Sequence, residues 1–162
     1  VDGNEVEIET KVTIKSDVDE KIIKQYNIPP HLLEFELTES MAMDNEIALK
    51  EAITAIHNLG CYCSIDDFVS GYSSLGMLTK FDFDVIKLDR SFFTNTATKE
   101  NSERVIESVI NLAKSLGKDV VAEGIEDKKQ VDFLTKIKCD EIQGFYFCKP
   151  MPIDEFKVMV KK

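Results

Sequence analysis

No run of apolar residues in this 162-residue chain approaches the roughly 20 needed to cross a bilayer, so a membrane-spanning helix is not expected. The opening VDGNEVEIET is acidic and polar, without the basic-then-apolar order of a secretory signal. No methionine stands at position 1, as expected of a segment excised from a longer protein. Positive charge is scarce: 20 Lys and Arg face 30 Asp and Glu, a net charge of −10. Such a surface repels nucleic-acid backbones and anionic lipid, so neither a nucleic-acid polymer nor a membrane is an expected partner. An anionic small molecule would need a metal or a few lysines to bind. Cysteine is sparse as well. Cys61, Cys63, Cys139 and Cys148 match no zinc spacing and read as reduced, buried thiols of a cytoplasmic protein or domain. His31 and His57 are isolated and read as surface or helix residues. Short repeats, low-complexity stretches, a GxGxxG fingerprint and a P-loop are all absent.

What is present is a chain of one-domain length with 43% hydrophobic residues, enough for an ordinary core. Strand-like runs occupy residues 33–38, 61–66, 84–89, 119–123 and 141–147. Amphipathic helical stretches fill 44–59, 100–116 and 127–137. Asp44 or Asn45 is placed to cap the first, and Gly60 and Gly117 are placed to end the first two. Strand alternating with helix implies parallel pairing and an α/β class. Two architectures compete: an open doubly wound sheet and a closed (β/α)8 barrel. The barrel demands polar residues at the C-terminal ends of its strands, facing inward.

Side chains alternate along a strand, so parity tests that demand. Phe35 and Leu37 oppose Glu34, Glu36 and Thr38. Cys61, Cys63 and Ile65 oppose Tyr62, Ser64 and Asp66. Ile86 and Leu88 oppose Val85, Lys87 and Asp89; Val120 and Ala122 oppose Val121 and Glu123; Ile142 opposes Gln143. With the apolar sides packed on outer helices, Glu36, Asp66, Lys87, Glu123 and Gln143 project inward, late in successive strands. They form either an active site or a charge network plugging the end of a barrel. Glu36, Asp66 and Asp67 could not all ionise together without a cation, because like charges raise one another's pKa. Hard carboxylate oxygens suit Mg²⁺ or Mn²⁺.

The segments around these residues resemble one family. FELTES (35–40), SIDDFVSGYSSL (64–75), IKLDRSF (86–92), VAEGIE (121–126) and IQGFYFCKPMP (142–152) are similar, in order and spacing, to the motifs of EAL domains. The likeness covers about residues 26–160, so 1–25 reads as a divergent N-terminal segment and 26–162 as an EAL-type partial barrel. The resemblance implies a TIM-like (β/α) barrel and hydrolysis of cyclic di-GMP to pGpG with two divalent cations, Mg²⁺ or Mn²⁺. It implies metal binding by Glu36 and Asp66, with Asp67 on the second ion. Lys87 would lie near the metals and the attacking water, and Glu123 would act as general base or hold that water. Gln143 would support the site, and Glu39 would anchor the loop at 67–75.

Two departures follow. The glutamate of the tripeptide that names the family has no counterpart, and a full barrel takes about 250 residues. About five parallel strands are therefore expected, with the N-terminal strands missing and two sheet edges open to a homodimer contact. Asn4 stands at the spacing of a further family ligand but in unlike surroundings, and is read as coincidence. Val69 stands where the family loop has glycine, which leaves that loop either distorted or adapted. Three functions compete. The first is a phosphodiesterase domain, expected to be inactive in this form. The second is a non-catalytic module that binds cyclic di-GMP or a protein. The third is a Schiff-base aldolase using Lys87, which is disfavoured because such a lysine prefers an apolar pocket.

Overall fold

A computed structural model describes residues 16–38, 45–68, 74–94 and 99–160. The chain opens with α1 (Ser16–Tyr26) and a 3₁₀ turn (Pro30–Leu32). Then follow β1 (Glu34–Thr38), α2 (Glu46–Asn58), β2 (Tyr62–Phe68), α3 (Ser74–Lys80) and β3 (Val85–Leu88). Next come α4 (Ser91–Thr94), α5 (Lys99–Ser115), β4 (Asp119–Ala122), α6 (Lys128–Lys136), β5 (Glu141–Ile142) and α7 (Ile153–Met159). Strand and helix alternate as the hydrophobic periods require. Asn45 caps α2 by accepting from the backbone N–H groups of Ile47 and Ala48 at 3.2 and 3.1 Å. Asp127 and Gln130 form a reciprocal capping box on α6. Gly60 and Gly117 end α2 and α5 at φ 79° and 73°, a conformation other residues resist.

All five strands are parallel and lie in chain order, β1-β2-β3-β4-β5. A doubly wound sheet reverses its order at a switch point; this one does not, so it is a wall of a barrel. Parity decides its two faces. Phe35, Leu37, Cys63, Ile65, Ile86 and Leu88 are buried on the outer side. There they meet Leu49, Ile53 and Ile56 of α2 and the inward face of α5. Each fully buried side chain of this size contributes about 1.5–3 kcal/mol.

Three details differ from the sequence reading. β5 ends at Ile142 rather than reaching 147. The cause is Gly144: a Cβ there would stand 2.1 Å from the Ile125 carbonyl oxygen. The chain presses against Ile125 and turns away, with Tyr146 N–H donating to Ile125 O at 3.0 Å. Of the cysteines, Cys61 and Cys63 are buried as expected, but Cys139 is half-buried and Cys148 exposed. His57 is half-buried and not isolated: its Nε2 lies 2.9 Å from Asp84 Oδ2.

Candidate active site

The inner face is built by strand ends. Glu36 lies in the middle of β1, in a register that sets Glu36 beside Ser64 and Thr38 beside Asp66. Lys87 lies in β3, opposite Val121 of β4. Glu123 follows β4, its N–H bonded to Leu88 O at 3.0 Å. Gln143 follows β5, its N–H bonded to Ala122 O at 2.8 Å and its C=O accepting from Ile125 N–H at 3.1 Å. These backbone bonds fix where each side chain starts.

β2 departs from regular alternation. Its ladder to β3 pairs Ile65 with Ile86 and Phe68 with Leu88, so Asp66 and Asp67 together face Lys87. This is a β-bulge, and Asp67 takes up the extra residue at φ 57°. Strict alternation would aim Phe68 inward. The bulge returns it to the core, where it is fully buried, and leaves both aspartates outside the core. Asp66 Oδ1 accepts from Asp67 N–H at 2.9 Å, which ties the pair together.

Lys87 is the centre of the arrangement. It is 1% exposed, and its ammonium donates to Glu36 Oε1 and pairs with Glu123 Oε1 at 2.9 Å. Burial alone would push Lys87 down, but its bonds to Glu36 and Glu123 outweigh that and hold it above the ordinary lysine value. It stays an ammonium. Burial pushes the Glu123 carboxyl up; Lys87 opposes the rise, and the charges of Asp66 and Glu36 add to it. Gln143 Oε1 is buried without a hydrogen-bond partner.

The structure thus brings Glu36, Lys87 and Glu123 into contact, with Asp66 near enough to act on Glu123 through its charge. Among the described residues, no three His, Cys, Asp or Glu side chains converge closely enough to hold a metal ion. The donor chemistry nonetheless fits a hard cation: three carboxylates share one ammonium, and the amide oxygen of Gln143 is unpartnered. Glu39, Val69 and Asn4 lie outside the described residues.

Sequence reasoning passed over Glu34 and Ser64, which continue the polar face below Glu36. Burial pushes the Glu34 carboxyl up, with the Ser64 hydroxyl beside it and Lys87 acting against the rise. Glu34 shares the parity of Glu36, and that was the available signal. It also missed the two-point ion pair of Arg90 with Glu126, at 2.8 and 3.1 Å, which ties the loops after β3 and β4. No local pattern announces that pair.

The description of the EAL domain matches residues 8–150. The chain belongs to the EAL domain family. Among curated relatives, this EAL domain is 38% identical over 138 residues to the signaling protein YkoW of Bacillus subtilis, covering 85% of this chain and 17% of YkoW. It is 37% identical over 135 residues to the cyclic di-GMP phosphodiesterase RocR of Pseudomonas aeruginosa, covering 83% of this chain and 34% of RocR. The EAL domain therefore spans less than a fifth of the first relative and about a third of the second. Among solved structures it is similar to the MucR phosphodiesterase of Pseudomonas aeruginosa in complex with c-di-GMP. That match has a TM-score of 0.78 and 32% identity, and covers 89% of this chain and 59% of that one. No helix among the described residues is long and apolar enough to cross a membrane.

Proposed function

We propose that the strand ends carry one part of a cyclic di-GMP phosphodiesterase site. The observation that carries the reading is Lys87, a buried ammonium bracketed by Glu36 and Glu123 at the mouth of a parallel β/α wall. In this reading Glu36, Asp66 and Asp67 would hold Mg²⁺ or Mn²⁺, two ions in a complete site, polarising the phosphate and lowering the pKa of water. Water oxygen attacks phosphorus, the bond to the ribose 3′ oxygen breaks, and the proton of the water passes to the Glu123 carboxylate. Solvent protonates the departing oxygen. A base suits this task when its pKa is raised toward working pH, the direction in which burial moves Glu123. Lys87 keeps its proton and stabilises the charge that builds on the phosphoryl oxygens. Gln143 offers its unpartnered oxygen to a bound donor. Exposed Phe145, Tyr146 and Phe147 follow after Gly144 and offer ring faces for a guanine base. A cytoplasmic setting and further domains in a longer parent belong to the same proposal, supported by relatives several times the length of this chain.

A second reading, binding of cyclic di-GMP without turnover, is favoured for these 162 residues on their own. The tripeptide Glu-Ala-Leu does not occur in them, and no three ligating side chains converge among the described residues. Two measurements separate the readings. Calorimetry with Mn²⁺ is expected to show binding that Asp66→Asn weakens; unchanged affinity removes the metal assignment. Chromatography after incubation with cyclic di-GMP and Mn²⁺ is expected to show no pGpG. Robust product that Glu123→Ala abolishes would show that the residues present suffice for catalysis.

A further inference from the structure

The inner face of the wall continues below the site already described. One layer nearer the N-terminal ends of the strands, parity places Glu34 (β1), Ser64 (β2), Val85 (β3), Val121 (β4) and Glu141 (β5) on it. Val85 and Val121 are 8% and 2% exposed and give the layer apolar sides. Its polar groups are incompletely met. Among the described residues, the buried side-chain polar atoms without a hydrogen-bond partner all face inward: Gln143 Oε1 above, Glu34 Oε1 and Ser64 Oγ in this layer. Ser64 is 0% exposed. Its hydroxyl lies beside the Glu34 carboxyl without meeting Glu34 Oε1.

What this layer lacks has a sign. An ionised carboxylate only accepts, and a hydroxyl oxygen offers lone pairs. Glu141, exposed at one side of the layer, adds its negative charge at Glu34. The charge of Lys87 reaches Glu34 from the layer above, but its ammonium is already engaged by Glu36 and Glu123. The place therefore calls for a cation with oxygen ligands. Mg²⁺ demands near-octahedral geometry and sheds water reluctantly. Two carboxylates and one hydroxyl between valines do not supply that geometry, and among the described residues no third acid joins them. A monovalent ion asks for less charge and accepts a neutral hydroxyl oxygen.

We infer that a monovalent cation, Na⁺ or K⁺, binds the Glu34 carboxylate and the Ser64 hydroxyl beneath Lys87. Exposed Glu141 attracts the ion and marks its route from solvent. The ion offsets the charge of Glu34, so the Lys87 ammonium stays turned to Glu36 and Glu123.

Urea unfolding in different chloride salts at equal ionic strength tests this, with EDTA present to remove divalent ions. The folding constant in NaCl or KCl is expected to stand about tenfold above that in tetramethylammonium chloride, as for an ion at roughly ten times its Kd. Ser64→Ala and Glu34→Gln are each expected to abolish the difference, with circular dichroism to check that they fold. Asp66→Asn and Glu107→Gln each remove one charge elsewhere and are expected to keep it. Sodium NMR gives a second reading on the unaltered protein: the linewidth should broaden, and excess K⁺ but not tetramethylammonium should narrow it. Equal stability in all the salts, as would follow if a water filled the place, overturns the inference, and so does an unbroadened sodium line. A difference that survives both Ser64→Ala and Glu34→Gln overturns it too, as does one that Asp66→Asn removes, which would put the ion among the upper carboxylates.

Discussion

The two ends of the same sheet treat polar groups in opposite ways. At the N-terminal ends of β3 and β4, the charges of Asp84, Lys118 and Asp140 have backbone or ion partners suited to them. Asp84 Oδ2 accepts from Cys63 N–H at 2.8 Å and pairs with His57. Lys118, buried, donates to Phe83 O at 2.6 Å. Asp140 accepts from Val120 N–H at 3.1 Å and from Lys114 Nζ at 2.5 Å. At the C-terminal ends, carboxylates crowd one ammonium, Glu123 is pushed up by burial, and Gln143 Oε1 has no partner. One end holds strands together. The other keeps unmet capacity, at a cost in stability that only a ligand recovers.

Breaking the satisfied end should cost most. Asp84→Ala removes two bonds and orphans the Cys63 amide, so urea unfolding should show a loss of about 2–3 kcal/mol. A loss under about 0.5 kcal/mol would mean the staple is ornamental. Lys118→Met frees the Phe83 carbonyl and should cost about 1 kcal/mol by the same measurement.

The unsatisfied end should behave in the opposite sense. Gln143→Leu replaces a buried orphan acceptor, so it should leave stability unchanged or raise it by up to about 1 kcal/mol. Calorimetry should at the same time show weaker binding of cyclic di-GMP. A large destabilisation would place Gln143 with the structural residues and erase the contrast between the ends.

The smallest effect concerns acid. A hydrogen bond from the Ser91 side chain, then one from its backbone N–H, holds the Asp89 carboxyl below its ordinary value. Its contribution is therefore fully present above the unfolded carboxyl value and is lost as pH falls through the lowered one. Asp89→Asn removes that contribution, so it should lower stability at neutral pH, converge with the parent at low pH, and thereby flatten the acid limb of a stability–pH curve. A variant that keeps the parent's acid limb, or loses as much stability in acid as at neutral pH, would contradict the assignment.

Cysteine reactivity gives an independent reading of burial. The Cys63 thiol is pushed up to about 12, first by burial, whereas Cys148 is exposed. One thiol, Cys148, should react quickly with a disulfide reagent in the native protein, and Cys63 only after unfolding.

The sequence showed what depends on a local period. Alternation in five short runs identified the inward residues Glu36, Lys87 and Glu123 and the outward core, and helix periods located α2, α5 and α6 with their caps. It could not show what depends on distant chain. The length of β5 is set by the approach of Gly144 to Ile125, the partner of His57 lies 27 residues away, and Arg90 meets Glu126 across two loops. Glu34 fell between these cases: its parity was visible, but the Ser64 hydroxyl and Lys87 charge that act on it lie in other strands.

The bulge at Asp66 and Asp67 also acts as a phase shift in the strand. Up to Ile65 the odd-numbered residues of β2 pack outward; from Phe68 the even-numbered position does. Deleting one aspartate would therefore restore regular alternation with Phe68 still on the outer side opposite Leu88, and would leave a single aspartate facing Lys87. Substituting either aspartate with asparagine changes charge and keeps the count. For this strand the second residue between Ile65 and Phe68 is not needed to bury Phe68; what it adds is a second carboxylate beside Lys87.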